Sequence, residues 1–316
     1  MHWYVGIDEA GYGPSLGPFV MALTAVGFPQ KLNDGDKCWD LLSPWISKGE
    51  GRINSKEYRL IVGDSKKINS MANGLSLLGK PWRTLFNNEI YDNIMINEFL
   101  TKIDCIDRGE LFQEFWWISD EPVLLKKVDF SSSDSGLIFP NFKARLAVKG
   151  VKKFNQMCRE NGSKSVVTAH TWTLLVCSFL ETLKSGESVS VITDKQGGRN
   201  RYGIMISDAL GKGAWVIPER ENAIESDYRV LGTSVESRFR FIPRAESACP
   251  TVALASMLAK HLREELMQMF NKWWLKKIPE LIPTAGYPGD APRFIEIIQP
   301  VANRMGIAMD EIVRVK

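Results

Sequence analysis

The chain opens with a short apolar run, Tyr4, Val5 and Ile7, which predicts a buried strand ending in two adjacent carboxylates, Asp8 and Glu9. Residues 19–27 (FVMALTAVG) predict a second strand, paired to the first through a glycine- and proline-rich turn at 10–18. Leu60, Ile61 and Val62 predict a third, leading into Gly63-Asp64-Ser65-Lys66-Lys67. From 142 to about 161 the apolar spacing predicts a helix, closed by Asn161-Gly162, and a second helical pattern covers 170–183. Residues 188–193 (SVSVIT) alternate as a strand should and deliver Asp194 at its end. A loop at 195–202 follows, with a double glycine and the cations Lys195, Arg199 and Arg201. Residues 229–242 predict a strand pair that hands on Pro243-Arg244-Ala245-Glu246. The firmest periodicity runs from about 250 to 277: Val252, Ala255, Ala259, Leu262, Leu266, Met269 and Trp273 recur in steps of three and four, with Pro250 in the first turn. A Gly-Tyr-Pro-Gly-Asp turn at 286–290 and one or two further helices complete the chain. Strands, helices, strands and helices in this order predict an α/β or α+β sheet with helical cover.

Segment 69–140 does not follow this rhythm. Its breakers, its Trp116-Trp117 pair and its serine-rich run at 131–135 predict an insertion of mixed short elements, with the aromatics in a core.

Composition narrows the class. The 316 residues are 44% hydrophobic and 24% charged, which is ordinary for a globular protein with a sizeable core. The longest apolar run, near 172–180, is too short to span a bilayer, and no signal-like segment opens the chain. Cys38, Cys105, Cys158, Cys177 and Cys249 are scattered and lack CxxC spacing, which predicts reduced thiols, a cytoplasmic protein and no zinc site. His2, His170 and His261 are far apart and give little support to histidine chemistry; His261 reads as structural. A net charge of +3 is compatible with nucleic acid but requires local cationic clusters.

The chemistry lies in the acids. Asp8, Glu9, Asp194 and Glu246 each fall at or just past a predicted strand end. Gly11 and Gly13 allow positive φ and close backbone approach, and Pro14 and Pro18 stiffen the exit. Carboxylates without nearby histidine or cysteine suit Mg²⁺ or Mn²⁺. Two such ions can activate a water and stabilise the leaving 3′ oxygen of a phosphodiester. The alternative for Asp8-Glu9 is a surface pair before an ordinary turn, and for the cations of 195–202 a solvated loop. A nucleotide-binding loop is disfavoured: the turn lacks the Lys-Ser/Thr ending and the full GxGxxG spacing.

The chain resembles ribonuclease HII, of the ribonuclease H-like superfamily. The family's GIDEAGRGP…GP opening is matched by residues 6–18 except at one position. Its aspartate-serine-lysine segment is matched by Asp64-Ser65-Lys66-Lys67, and its third acid by Asp194. Its AxAS-x-x-AK helix is matched by residues 252–260, which places Glu246 where the family usually has aspartate. A tyrosine turn of archaeal-like members is matched at 286–290. The resemblance covers about half the residues, in 1–70 and 186–300, and ribonuclease HIII is a poorer match.

The resemblance implies a mixed central sheet flanked by helices, with a catalytic domain over 1–260 that carries the 69–140 insertion, and a helical extension over 261–316. It implies an endonuclease cutting the RNA strand of RNA/DNA hybrids or at embedded ribonucleotides, with two Mg²⁺ or Mn²⁺ ions held by Asp8, Glu9, Asp194 and Glu246. The backbone of Gly11, Tyr12 and Gly13 would read the 2′-hydroxyl. Lys66 and Lys67 would contact phosphates, and Tyr287 would pack on a sugar. Outside the family pattern, Lys195, Arg199 and Arg201 could clamp a phosphate. Tyr12 stands where the family has a basic residue, which bears on single-ribonucleotide specificity. Lys260 reads as a helix-surface or orienting residue. The alternatives are a related nuclease on other structured nucleic acid and a non-catalytic nucleic-acid-binding protein on the same fold.

Overall fold

The computed structural model describes residues 1–29, 38–49, 59–85, 94–117, 141–196 and 198–315. Much of the expected insertion (86–93 and 118–140, with the serine-rich run) and Gly197 of the double glycine lie outside the described residues. In chain order the elements are β1 (His2–Ala10), β2 (Phe19–Phe28), α1 (Cys38–Leu42), β3 (Ile46–Lys48), β4 (Leu60–Val62), α2 (Ser65–Asn69), α3 (Gly74–Leu85), α4 (Ile96–Lys102) and α5 (Arg108–Leu111). They continue with β5 (Phe142–Lys149), α6 (Val151–Asn161), α7 (Lys164–Leu180), β6 (Ser188–Asp194), α8 (Gly203–Leu210), β7 (Trp215–Glu221), β8 (Ser226–Leu231) and β9 (Glu236–Ile242). The helices α9 (Ala245–Ala248), α10 (Pro250–Leu275) and α11 (Ala291–Arg304) follow, with a 3₁₀ turn at Met309–Glu311.

Seven strands form one mixed sheet in the order β5-β2-β1-β6-β9-β8-β7. At its centre β1, β6 and β9 run parallel. The strands outside them pair antiparallel. Side chains alternate across β1 as the pleat requires. Trp3, Val5 and Ile7 pack with α6, α7 and α8, whereas Tyr4 faces α1, β3, β4 and the first half of α10. The rest of α10, with α3, α4 and α11, covers β2 and β5 through Leu258, Leu262, Phe270 and Phe294. Helices thus cover both faces, the mixed α/β architecture expected from the sequence. Helix α10 runs through residue 260 without a break.

Gly6 sets the seat of α10. A Cβ there would fall inside the backbone of Thr251 and Val252, so only glycine lets the helix start lie on β1. Opposite Gly6, Thr24 donates to the Thr251 carbonyl at 2.6 Å and fixes the same approach.

One expected element is corrected. Residues 142–149 form β5, and the helix begins only after Gly150. β5 pairs with β2 along its whole length. Leu146 and Val148 enter one core cluster and Ala147 the other. That ladder is a long-range interaction, and it overrides an apolar spacing that fits either period. The second helix starts at Lys164, earlier than expected, where the Ser163 hydroxyl accepts from the Ser165 amide at 3.1 Å. Helix α8 and strand β7 add to the elements expected from the sequence. The described part of 69–140 packs into the core through Trp82, Phe99 and Trp116, as its aromatics predicted.

Candidate active site

Parallel pairing brings the acids to one place. Ile7 lies beside Thr193 in the β1–β6 register, so Asp8 and Asp194 follow side by side. Asp194 lies beside Ile242 in β9, and Glu246 comes four residues later. Between them Arg244 takes a left-handed φ of 55°, and this turn presents α9 to the strand ends. The carboxyl ends of adjacent parallel strands are where open α/β sheets place their ligands.

There a cleft of about 390 Å³ is lined by Asp8, Glu9, residues 10–14, Asp64, Ser65, Lys66, Asp194, Glu246, Ser256, Lys260 and Tyr287. Asp8 and Glu9 are both still within β1 and so point to opposite faces. The cleft wraps around the strand end and receives both. The turn between the strands begins only after Ala10. Gly11 has φ +92°, and a Cβ there would meet the Arg263 Nε and the Pro18 carbonyl, each at 2.7 Å. Gly13 departs from the expectation: its φ is not positive and the space around it is open.

The electrostatics of the cleft are those of crowded acids. Burial, with the Asp194 and Glu246 charges, pushes the Asp8 carboxyl up to about 7, against a hydrogen bond donated by Ser256. The Ser256 hydroxyl also shares a hydrogen bond with that of Ser65 at 2.9 Å. Burial and the neighbouring Asp8 and Asp194 push Glu9 up to about 8. Asp194 and Glu246 are also raised, by burial first. Lys66 opposes the rise at Glu9, Asp194 and Glu246. Asp194 is oriented by the amides of Lys195 (3.1 Å) and Ala245 (3.4 Å), which its Oδ1 accepts.

These residues suit a hard cation in donor type, being carboxylates with one lysine and no histidine or thiol among the lining. Among the described residues no three acids, imidazoles or thiols are drawn tightly enough together to cage an ion by themselves. The acids share a cleft in which burial first, and for Asp8, Glu9 and Glu246 also the neighbouring carboxylates, raise their proton affinity.

Of the residues expected at the site, Asp8, Glu9, Gly11, Tyr12, Gly13, Lys66, Asp194, Glu246 and Tyr287 line this cleft. Tyr12 and Tyr287 stand on it 41% and 42% exposed. Lys67 is exposed on α2 and does not line it. Neither do Lys195, Arg199 and Arg201. Lys195 donates to Asn200 and to the Asn222 carbonyl, Arg199 to Gln196 at 3.3 Å, and Arg201 pairs with Glu221 at 3.8 Å. The loop's cations are engaged by neighbours in their own part of the chain.

The sequence reading gave no role to Asp64, Ser256 or Arg263. Asp64 caps α2, accepting from the Lys66 and Lys67 amides at 2.9 and 3.3 Å, and its charge raises Glu246. Lys260 is only 7% exposed, so the surface reading is corrected; it donates to Glu264 at 2.6 Å and to the Tyr287 hydroxyl at 3.4 Å. Ser256, Lys260 and Arg263 recur at helical spacing, and that polar stripe on an apolar helix was the available signal. His261 is structural as expected: it is buried, accepts from Trp82 at 3.1 Å, and is pushed down to about 3 by burial. All five cysteines are free thiols, and no helix among the described residues is long and apolar enough to cross a membrane.

No protein-family model and no curated protein matches the chain. Solved structures do. Ribonuclease H2 from Pyrococcus horikoshii is 14% identical with a TM-score of 0.48, over 98% of this chain and 92% of that one. The ribonuclease HII of a PCNA complex from Archaeoglobus fulgidus is 14% identical with a TM-score of 0.45, over 99% and 94%. Bst-RNase HIII in complex with Mn²⁺ is 16% identical with a TM-score of 0.42, over 99% of this chain and 65% of that one. The chain is thus similar, at low identity, to structures of ribonucleases HII and HIII.

Proposed function

We propose that this protein is a metal-dependent endoribonuclease that hydrolyses the RNA strand of RNA/DNA hybrids. The observation that carries the reading is the meeting of Asp8, Glu9, Asp194 and Glu246 in one cleft at the ends of three parallel strands, beside a glycine turn. Four buried or half-buried acids with raised proton affinity cost folding energy, and divalent cations would offset that cost.

In this reading Asp8, Glu9, Asp194 and Glu246 hold two Mg²⁺ or Mn²⁺ ions. When bound, such ions supply Lewis acidity and make a water nucleophilic at neutral pH. The chain's own groups do the rest. Lys66 meets a phosphate oxygen at the mouth of the acid cluster. The backbone of residues 11–13 offers donors to a 2′-hydroxyl, the group that distinguishes RNA from DNA. Tyr287, steadied by Lys260, packs against a sugar. A water oxygen bonds to phosphorus, the bond to the 3′ oxygen breaks, and a 5′ phosphate and a 3′ hydroxyl result. Tyr12 puts an aromatic ring where a cation would otherwise face the strand junction, so the reading favours continuous hybrids over single embedded ribonucleotides.

The test is cleavage of labelled duplexes by wild type and Asp8→Asn, in Mg²⁺ and in Mn²⁺. The panel holds an RNA/DNA hybrid, DNA with one ribonucleotide, all-DNA and all-RNA. The expected result is hybrid cutting that Asp8→Asn reduces about 100-fold or more, with weak cutting at the single ribonucleotide. Cutting of all-DNA with the hybrid spared would assign a different nuclease. Hybrid binding with no Asp8-dependent cutting would make the chain a binding protein.

A further inference from the structure

The glycine turn of the cleft is held from beneath by the end of the chain. Val313 bridges antiparallel to Leu16, and the Arg314 amide donates to the Ser15 carbonyl at 2.8 Å. The Arg314 side chain is 3% exposed and lies 4.6 Å over the Phe154 ring. Its Nε donates to the Gly17 carbonyl at 2.8 Å and its Nη1 to the Gly11 carbonyl. Arg263, fully buried on α10, donates to the carbonyls of Leu16 (3.3 Å) and Ala285 (3.0 Å). Asn155 of α6 pins the tail, donating to the Asp310 and Val313 carbonyls at 2.7 Å and accepting from the Val315 amide at 2.8 Å.

Two buried guanidiniums close enough to repel one another are an expensive way to close a turn. Burial, and then Arg263, push Arg314 down to about 9. Arg314 Nη2 and Arg263 Nε find no acceptor among the described residues. What this arrangement fixes is a peptide plane. In a trans peptide the C=O and the following N–H point in opposite directions. A Gly11 carbonyl drawn down to Arg314 therefore turns the Tyr12 N–H up towards the cleft. Among the described residues the Tyr12 and Gly13 amides have no protein acceptor, and both residues line the cleft.

We propose that Arg314 is a positioning residue, whose grip on the Gly11 carbonyl holds the Tyr12 N–H ready for the substrate 2′-hydroxyl; the proposal rests on the hybrid-nuclease reading above. It places a determinant of sugar recognition in the C-terminal tail, outside every motif that marks the site.

The test uses the full chain in an Asp8→Asn background, which keeps the substrate intact, with Arg314→Ala and Arg314→Lys added. Binding is measured to an RNA/DNA hybrid and to an all-DNA duplex of the same sequence. Amide hydrogen exchange is followed over 10–18 and, as an internal reference, over β6. Arg314→Ala should lower the preference for hybrid about 10- to 100-fold, the scale of a mispositioned contact, with DNA binding unchanged. It should raise exchange over 10–18 alone, and Arg314→Lys should restore part of the preference. A parallel loss of hybrid and DNA binding, or exchange rising equally in β6, would overturn the proposal in favour of general destabilisation. An unchanged preference despite a loosened turn would overturn it as well. If the Arg314-containing parent shows no preference for hybrid, the hybrid reading fails instead, and the exchange contrast alone decides whether Arg314 holds the turn.

Discussion

Gly6 shows how one residue links the fold to the acidic cleft. It lies two positions before Asp8, and α10 reaches its seat on β1 only because no Cβ intervenes. Helix α10 carries Ser256, which donates to Asp8. Gly6→Ala should therefore lower stability by about 3 kcal/mol, the upper range for overpacking, because the obstruction is backbone and cannot rotate away. Urea unfolding checks this, and a loss under about 0.5 kcal/mol, the scale of a neutral surface change, would mean that α10 sits elsewhere. The acids give a second prediction at this scale. Asp8 and Glu9 are raised to about 7 and about 8 in the fold, against about 4 in the unfolded chain. The unfolded state ionises first, so the metal-free protein loses stability as the pH rises from about 4 through about 8, and the loss is complete above that. Melting temperature in chelator should show this fall, and Asp8→Asn should flatten it. A wild-type melting temperature that rises across this window relative to Asp8→Asn would contradict the burial of these carboxylates.

At the scale of elements, three parallel strand ends bring the acids into one cleft, and the strand ends that carry them were legible. A short apolar run followed by an acid is a local pattern, so β1, β6 and the acids Asp8 and Asp194 could be read directly. Glu246 could be placed by counting back from the α10 motif. Strand β5 could not, because only its ladder with β2, more than a hundred residues away, decides between strand and helix. Its last residue, Lys149, is 2% exposed and donates to Asp107 at 2.5 Å, with Glu110 at 3.7 Å. This pair ties α5 to the sheet. Lys149→Ala would leave Asp107 without its lysine, while Glu110 keeps Lys153 at 3.6 Å, and should cost about 3 kcal/mol. Equilibrium unfolding of Lys149→Ala beside Lys149→Ala/Asp107→Ala measures it; the double variant should recover part of the loss. No recovery would show that the lysine acts through packing alone.

At the scale of the whole molecule, the cleft is assembled from segments spread along the entire chain. Gly11 and Arg314 are 303 residues apart and meet beneath the turn. No sequence pattern announces such a contact: a single arginine near a terminus has no period and no partner until the chain is folded. Lys195, Arg199 and Arg201, expected as a phosphate clamp, do not line the cleft. Proximity in sequence to Asp194 does not decide direction, and the β7–β8 connection engages Lys195 through the Asn222 carbonyl. The cleft is consequently dominated by acids, with Lys66 and the partly paired Lys260 as its cationic lining. Such a cleft repels a nucleic-acid backbone until cations enter it. Hybrid binding should therefore strengthen on adding Mg²⁺ or Mn²⁺, in contrast to the weakening that screening alone gives at equal ionic strength. The claim that these acids form one cation site is tested most directly by titrating Mn²⁺ calorimetrically into wild type, Asp8→Asn and Asp194→Asn. The account predicts saturable uptake by wild type, near two ions per chain, and at least a tenfold loss of affinity in each variant. Wild-type uptake that both substitutions leave unchanged, or no uptake at all, would contradict it.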